Sequence, residues 1–205
     1  MSAAVATRMN EHGGVYSQYG EDAAIFANTP DSGRFLDIGA WHPTQFSNTR
    51  LLWERGWSGV MFEPSPGPLQ NLAREYGNDD RVTVVGCAVG VERGLITMHL
   101  TEDAVSTSDP ETFRKWKTAG GYYGKARLWA MSFDDVITQF GAFDFINLDA
   151  EGISVDLLHR LLRYEMYPAC ICVEHDGRES EVIQAATGRG YKIVYGNGTN
   201  LVLAK

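Results

Sequence analysis

The sequence predicts an α/β fold built on a doubly wound, mainly parallel β-sheet that closes with a C-terminal antiparallel hairpin. Three observations predict it. From about Gly33 onward, short apolar runs alternate with amphipathic stretches, the pattern of repeated βα units. Each run ends near a polar or glycine-containing turn, where the chain leaves a strand. Close to the C-terminus, the runs Tyr191 to Tyr195 and Asn200 to Ala204 flank Gly196-Asn197-Gly198, a hairpin signal because both central residues of a tight turn take positive φ.

Taken in order, Ser17-Gln18-Tyr19-Gly20-Glu21-Asp22 leads as a loop into a helix over Ala23 to Phe26, and the whole segment 1–31 is expected to lie across the top of the sheet. Strands follow over Arg34 to Ile38, Gly59 to Phe62, Val82 to Cys87, Phe143 to Leu148 and Ala169 to Val173. Two helices show their core faces clearly. Ile153 to Arg163 sets Ile153, Leu157, Leu158, Leu161 and Leu162 on one stripe, and Glu179 to Thr187 does the same with Val182, Ile183 and Ala186. The stretch 102–128 has no clean period, and a loop of that length in a small domain reads as a lid or acceptor-binding loop. Its aromatics Trp116, Tyr122 and Tyr123, with Trp129 just beyond, either flank an acceptor or anchor the loop. Trp41, Trp53 and Trp57 are expected in the core or at a subunit contact, the latter implying a homo-oligomer. His42 is either a site residue or a hydrogen-bonded turn residue.

With 205 residues the chain is expected to form a single domain spanning 1–205. Lys+Arg 18 against Asp+Glu 26 gives a net charge of -8, the wrong sign for holding a nucleic acid. The first 15 residues lack the apolar core of a secretory leader, so the expected location is cytoplasmic. No stretch approaches the roughly 20 apolar residues that cross a membrane. Cys170 and Cys172, two apart on a strand, point to one face in a spacing unlike a zinc site and are expected as buried free thiols.

In an open parallel sheet, ligands bind beyond the carboxyl ends of the strands. The first strand closes with Asp37-Ile38-Gly39-Ala40, where Gly39 permits close backbone approach and Asp37 fixes a negative charge. A pyrophosphate would need a G-x-G-x-x-G turn and no carboxylate beside it, whereas net-positive S-adenosylmethionine tolerates Asp37. The second strand closes with Glu63-Pro64, where a carboxylate can accept hydrogen bonds from both hydroxyls of a ribose. Gly86-Cys87-Ala88-Val89-Gly90 either leaves a slot for a flat adenine or is a plain strand exit. The fourth and fifth strands deliver Asp149, Glu151, Glu174, His175 and Asp176 toward one cleft. There Asp149 or His175, with Glu174 beside them, is a candidate general base for a substrate hydroxyl. Carboxylates with an imidazole could instead hold Mg²⁺ or Mn²⁺, or Glu151 could cap the next helix with His175-Asp176 in a solvated turn.

Seven motifs in order, Ser17-Gln18-x-Gly20-Glu21-Asp22, Phe35-Leu36-Asp37-Ile38-Gly39-Ala40, Ser47-Asn48-Thr49, Gly56-Trp57-x-Gly59, Glu63-Pro64, Ala88-Val89-Gly90 and Asp149-x-Glu151-Gly152, resemble the FkbM methyltransferases. The resemblance implies a Rossmann-like, class I methyltransferase-type sheet and a S-adenosylmethionine-dependent transfer to oxygen of sugars or other natural products. It also implies that Asp37, Gly39 and Ala40 face the methionine half of the cofactor. Glu63 with Pro64 would face the ribose and Ala88 or Val89 the adenine, while Ser17 and Gln18 would cover the cofactor from above. Where many relatives carry another glycine, this chain has Trp41-His42-Pro43. Two other readings stand beside this one: a nucleoside-binding protein without chemistry, and a small NAD-dependent oxidoreductase, which shares the sheet and Glu63 but needs the missing glycine fingerprint.

Overall fold

The computed structural model describes residues 15–101, 104–117, 122–164 and 167–205. Helix α1 (Glu21–Ala27) precedes β1 (Arg34–Ile38), and α2 (Arg50–Glu54), β2 (Ser58–Phe62), α3 (Pro66–Tyr76) and β3 (Val82–Val85) follow. The chain then leaves the main sheet through β4 (Ala88–Gly90), β5 (Gly94–Thr101), α4 (Pro110–Trp116) and β6 (Tyr122–Ser132). It returns as α5 (Phe133–Phe140), β7 (Phe145–Leu148), α6 (Ser154–Leu161), β8 (Cys170–Glu174) and α7 (Glu179–Thr187), and closes with β9 (Lys192–Gly196) and β10 (Asn200–Ala204).

The main sheet has the order β3-β2-β1-β7-β8-β10-β9. Its first five strands run parallel, and β10 is antiparallel to both neighbours. Strand order reverses between β1 and β7, which opens a crevice at their carboxyl ends. Alternate strand residues feed two layers. Leu36, Ile38, Ile146, Leu148, Ile171 and Val173 pack against α5, α6 and α7 residues such as Val136, Leu157 and Val182. Phe35, Phe145, Cys170, Cys172 and Val202 face the other way, toward Ile25, Leu52 and Trp57. Cys170 and Cys172 are buried free thiols as expected, and burial pushes Cys170 up to about 12.

Two expectations need correction. The stretch expected as a lid contains helix α4 and the first part of β6, which pairs antiparallel with β5 in a second sheet of order β4-β6-β5. Asp109 caps α4, accepting hydrogen bonds from the Glu111 and Thr112 N–H groups. In β6, Ala126, Leu128 and Ala130 turn inward against Met98 and Leu100, and Lys125, Arg127 and Trp129 turn outward. The hairpin turn is real, but neither Asn197 nor Gly198 takes positive φ. Asn197 closes it instead with its side chain, whose Oδ1 accepts from the Thr199 and Asn200 N–H groups at 2.8 Å each.

Candidate active site

A cavity of about 610 Å³ lies over the carboxyl ends of β1, β2, β7 and β8, roofed by the second sheet and the segment 104–108. Such a volume suits a small-molecule or cofactor ligand. Gly39 lines it with φ +83°, and a β-carbon there would stand 1.8 Å from the Asp149 carbonyl oxygen. The Gly39 and Ala40 N–H groups donate to the Phe62 carbonyl, and the Asp149 N–H donates to that of Ile38, so β1, β2 and β7 are locked together at this turn.

Asp37 sits below the turn, with Oδ2 accepting from Thr49 Oγ1 at 2.6 Å and Oδ1 from Asn147 Nδ2 at 2.8 Å. Burial pushes its carboxyl above the usual range, and the two donors oppose that shift. Glu63 is held the same way: Ser65 N–H donates to Oε1 at 2.6 Å and Trp41 N–H to Oε2 at 3.0 Å. Burial raises this carboxyl too. The Ser65 hydroxyl bonds the carboxylate as well, and the acceptor capacity that is left faces the cavity, where a ligand hydroxyl can use it.

Across the cavity, Asp149 on the β7 exit and Glu174 at the end of β8 share a hydrogen bond. Burial first, then the neighbouring negative charge, raises both carboxyls, Glu174 more strongly because it faces Asp149, Glu151 and Asp176. Two carboxyls so placed hold one proton between them at neutral pH. Asp149, Glu151 and Glu174 offer oxygens within 4.8 Å of one another, a hard donor set that could accept a divalent cation.

Of the residues singled out in the sequence, Gln18, Asp37, Gly39, Ala40, Glu63, Pro64, Ala88, Val89, Asp149, Glu151 and Glu174 all line this cavity. Ser17 and His175 do not. Ser17 is buried under the loop, where its hydroxyl donates to Asp22 at 2.6 Å and accepts from the Gly20 and Asp22 N–H groups. The His175 ring is turned away, its Nδ1 accepting from Gly177 N–H and its Nε2 lying 3.4 Å from the Asn197 carbonyl. Asp176 accepts from Gly152 N–H and supports the 149–152 turn. His42 is a turn residue, with Nδ1 accepting from the Thr44 and Gln45 N–H groups.

The tryptophans divide differently from expectation. Trp57 is in the core, but Trp41 lines the cavity with a left-handed φ of 45°, stacked on Phe46 with centroids 5.5 Å apart. Trp129 is 58% exposed on the outer face of β6 and does not line this cavity. The side chains of Trp116, Tyr122 and Tyr123, and residues 1–14 of the expected covering segment, lie outside the described residues.

Glu21 was missed. It is buried on the cavity wall, Oε1 accepting from the side-chain amides of Asn197 and Asn200 and Oε2 from Tyr19 N–H. The cavity is thus lined by the carboxylates Glu21, Asp37, Glu63, Asp149, Glu151 and Glu174, and by no Lys, Arg or His among the described residues.

A family model, the methyltransferase FkbM domain, matches residues 37–163, more than half of the chain, from the end of β1 through β7. The chain belongs to the FkbM methyltransferase family. The FkbM methyltransferase from Methylobacillus flagellatus KT is similar in structure, with a TM-score of 0.53 and 18% identity over 84% of this chain and 44% of that one. This FkbM domain therefore spans under half of the length of that relative. The TehB-like SAM-dependent methyltransferase from Corynebacterium glutamicum is 14% identical over 91% of this chain and 88% of its own, with a TM-score of 0.43. The SAH-bound methyltransferase PaMTH1 of Podospora anserina is 12% identical over 92% and 79%, also at 0.43. No curated protein matches the chain in sequence. No helix among the described residues is long and apolar enough to cross a membrane.

Proposed function

We propose that this FkbM-family protein transfers a methyl group from S-adenosylmethionine to the hydroxyl of a small acceptor such as a sugar or another natural product. The observation that carries the reading is the cavity wall: six carboxylates and no basic side chain among the described residues, set at the strand-order reversal. Such a wall attracts a cation and repels a pyrophosphate, which disfavours a nicotinamide dinucleotide. The bound cofactor supplies an electrophilic methyl group on a sulfonium, whose sulfur leaves as a neutral thioether.

The chain's own residues do the rest. Glu63 accepts from the ribose hydroxyls, and Ala88 and Val89, small and apolar at the mouth of β4, leave room for a flat base. Asp149 would take the proton of the acceptor hydroxyl, while Glu174 keeps the pair's shared proton and holds Asp149 in place. The apolar side chains Ile96, Met98 and Val105 roof the cavity and exclude water from the reacting atoms.

Calorimetric titration with S-adenosylmethionine, S-adenosylhomocysteine and NAD tests the cofactor. Micromolar binding of both adenosyl ligands, weakened about a hundredfold in Glu63→Ala and absent for NAD, is the expected result. No adenosyl binding at millimolar concentration overturns the reading. Binding without turnover across a panel of hydroxylated acceptors would favour a nucleoside-binding protein without chemistry.

A further inference from the structure

Ser47-Asn48-Thr49 stands out in the sequence, and the fold accounts for two of its three side chains. Ser47 Oγ accepts from Arg50 N–H at 3.2 Å at the start of α2, and Thr49 Oγ1 donates to Asp37. Asn48 remains. It is 6% exposed, it lines the cavity, and its Oδ1 is a buried acceptor with no hydrogen-bond partner. An acceptor left this way costs its full desolvation unless a ligand brings a donor.

The amide cannot escape by turning over. Asp37 only accepts, so Asn147 must present its amide nitrogen to Asp37 Oδ1 and its own oxygen to Asn48 Nδ2, at 3.1 Å. The Asn48 nitrogen also meets Cys172 Sγ at 3.8 Å. Flipping Asn48 would set two amide oxygens against each other. The chain Asp37–Asn147–Asn48 therefore has a fixed polarity that ends on a free acceptor.

Its position selects the donor. Through Asn147 and Cys172, Asn48 sits against β7 and β8, whereas Glu63 and Ala88 lie on the β2 and β4 side. A cofactor with its ribose at Glu63 would have the β7 and β8 side, where Asn48 stands, left for its amino-acid end. That end carries an ammonium and a carboxylate, and only the ammonium donates. The carboxylates of Asp37 and Glu21 on the same wall disfavour the alternative placement.

We propose that Asn48 Oδ1 accepts a hydrogen bond from the α-ammonium group of bound S-adenosylmethionine, making Asn48 a reader of the cofactor's amino-acid end. The proposal rests on the cofactor reading above. It is tested by calorimetry of S-adenosylhomocysteine, of its analogue with the amino group replaced by hydrogen, and of 5′-methylthioadenosine, on the unmodified protein and on Asn48→Leu and Asn48→Ser. In the unmodified protein the amino group should strengthen binding about tenfold to a hundredfold. In both variants that ratio should fall toward one, while methylthioadenosine affinity stays within about twofold. A deaminated analogue that binds the unmodified protein as tightly as S-adenosylhomocysteine overturns the proposal without any variant. So does a ratio that survives Asn48→Leu, or an equal loss for all three ligands in both variants, which would make Asn48 structural. If the unmodified protein binds neither S-adenosylhomocysteine nor methylthioadenosine, the cofactor reading itself fails and this proposal falls with it.

Discussion

The carbonyl oxygen of Asp149 occupies the space in which a β-carbon on Gly39 would stand, 1.8 Å away. This close approach brings the β7 exit, with its Asp149 carboxyl, over the β1 turn. Gly39→Ala is therefore expected to cost more than about 3 kcal/mol, from overlap with backbone added to left-handed strain. Gly56 provides the comparison, since it also has positive φ, +99°, but nothing lies within 4 Å of its β-carbon position. Gly56→Ala should cost only about 1–2 kcal/mol. Urea denaturation of the two variants measures the difference, and equal costs would mean that the Asp149 contact is not tight.

Glu174 makes stability depend on pH in a definite direction. Its folded-state pKa is raised, by burial first and by Asp149 next, so its contribution is complete below the unfolded carboxylate range and is lost as pH rises toward the folded value. Glu174→Gln still donates to Asp149 but has no proton to lose. The variant should gain stability over the parent from about pH 5 to about pH 8, reaching roughly 1–3 kcal/mol at the upper end. Thermal unfolding across that range checks it; a gain confined to low pH would reverse the assignment.

Ser17 and Gln18 are neighbours with separable roles. Ser17→Ala removes a hydroxyl that makes three hydrogen bonds around Asp22 and should lower stability by about 1–2 kcal/mol. Gln18→Ala, on the cavity wall, should leave stability within about 0.5 kcal/mol and weaken S-adenosylhomocysteine binding severalfold. Denaturation and calorimetry on both variants distinguish the two; a stability loss in Gln18→Ala alone would contradict it.

Trp129 lies off the cavity, so Trp129→Ser should change S-adenosylhomocysteine affinity by less than about twofold. A tenfold loss in the same titration would place its ring in the site.

The parallel strands β1, β2, β7 and β8 could be located in the sequence because strands buried on both faces read as plain apolar runs, and the half-exposed β3 because Val82-Thr83-Val84-Val85 is rich in β-branched residues. The second sheet was harder. Its β6 alternates Lys125-Ala126-Arg127-Leu128-Trp129-Ala130, but glycines and an outward tryptophan hid the period. Most of the cavity wall was legible because it sits at strand exits. The role of Glu21 was not, since its partners Asn197 and Asn200 lie 176 and 179 residues away. The orientation of His175 was equally hidden: it follows Glu174 directly, and its ring direction depends on the Gly177 and Asn197 backbone. Trp41 could not be placed because its left-handed φ is imposed by the turn that binds Glu63.

The same remote contacts bear on how the protein is made. Tyr195 donates its hydroxyl to the Tyr19 carbonyl, and Asn197 and Asn200 tie down Glu21, so one wall of the cavity is held by the hairpin between β9 and β10. On the ribosome, residues near position 20 must wait for those near position 200 before that wall can set. A nascent chain released before β10 has emerged would carry Asp37 and Glu63 yet lack a closed pocket. That wall of the pocket should thus set only once β10 has joined the sheet, well after β1 and β2 have been made.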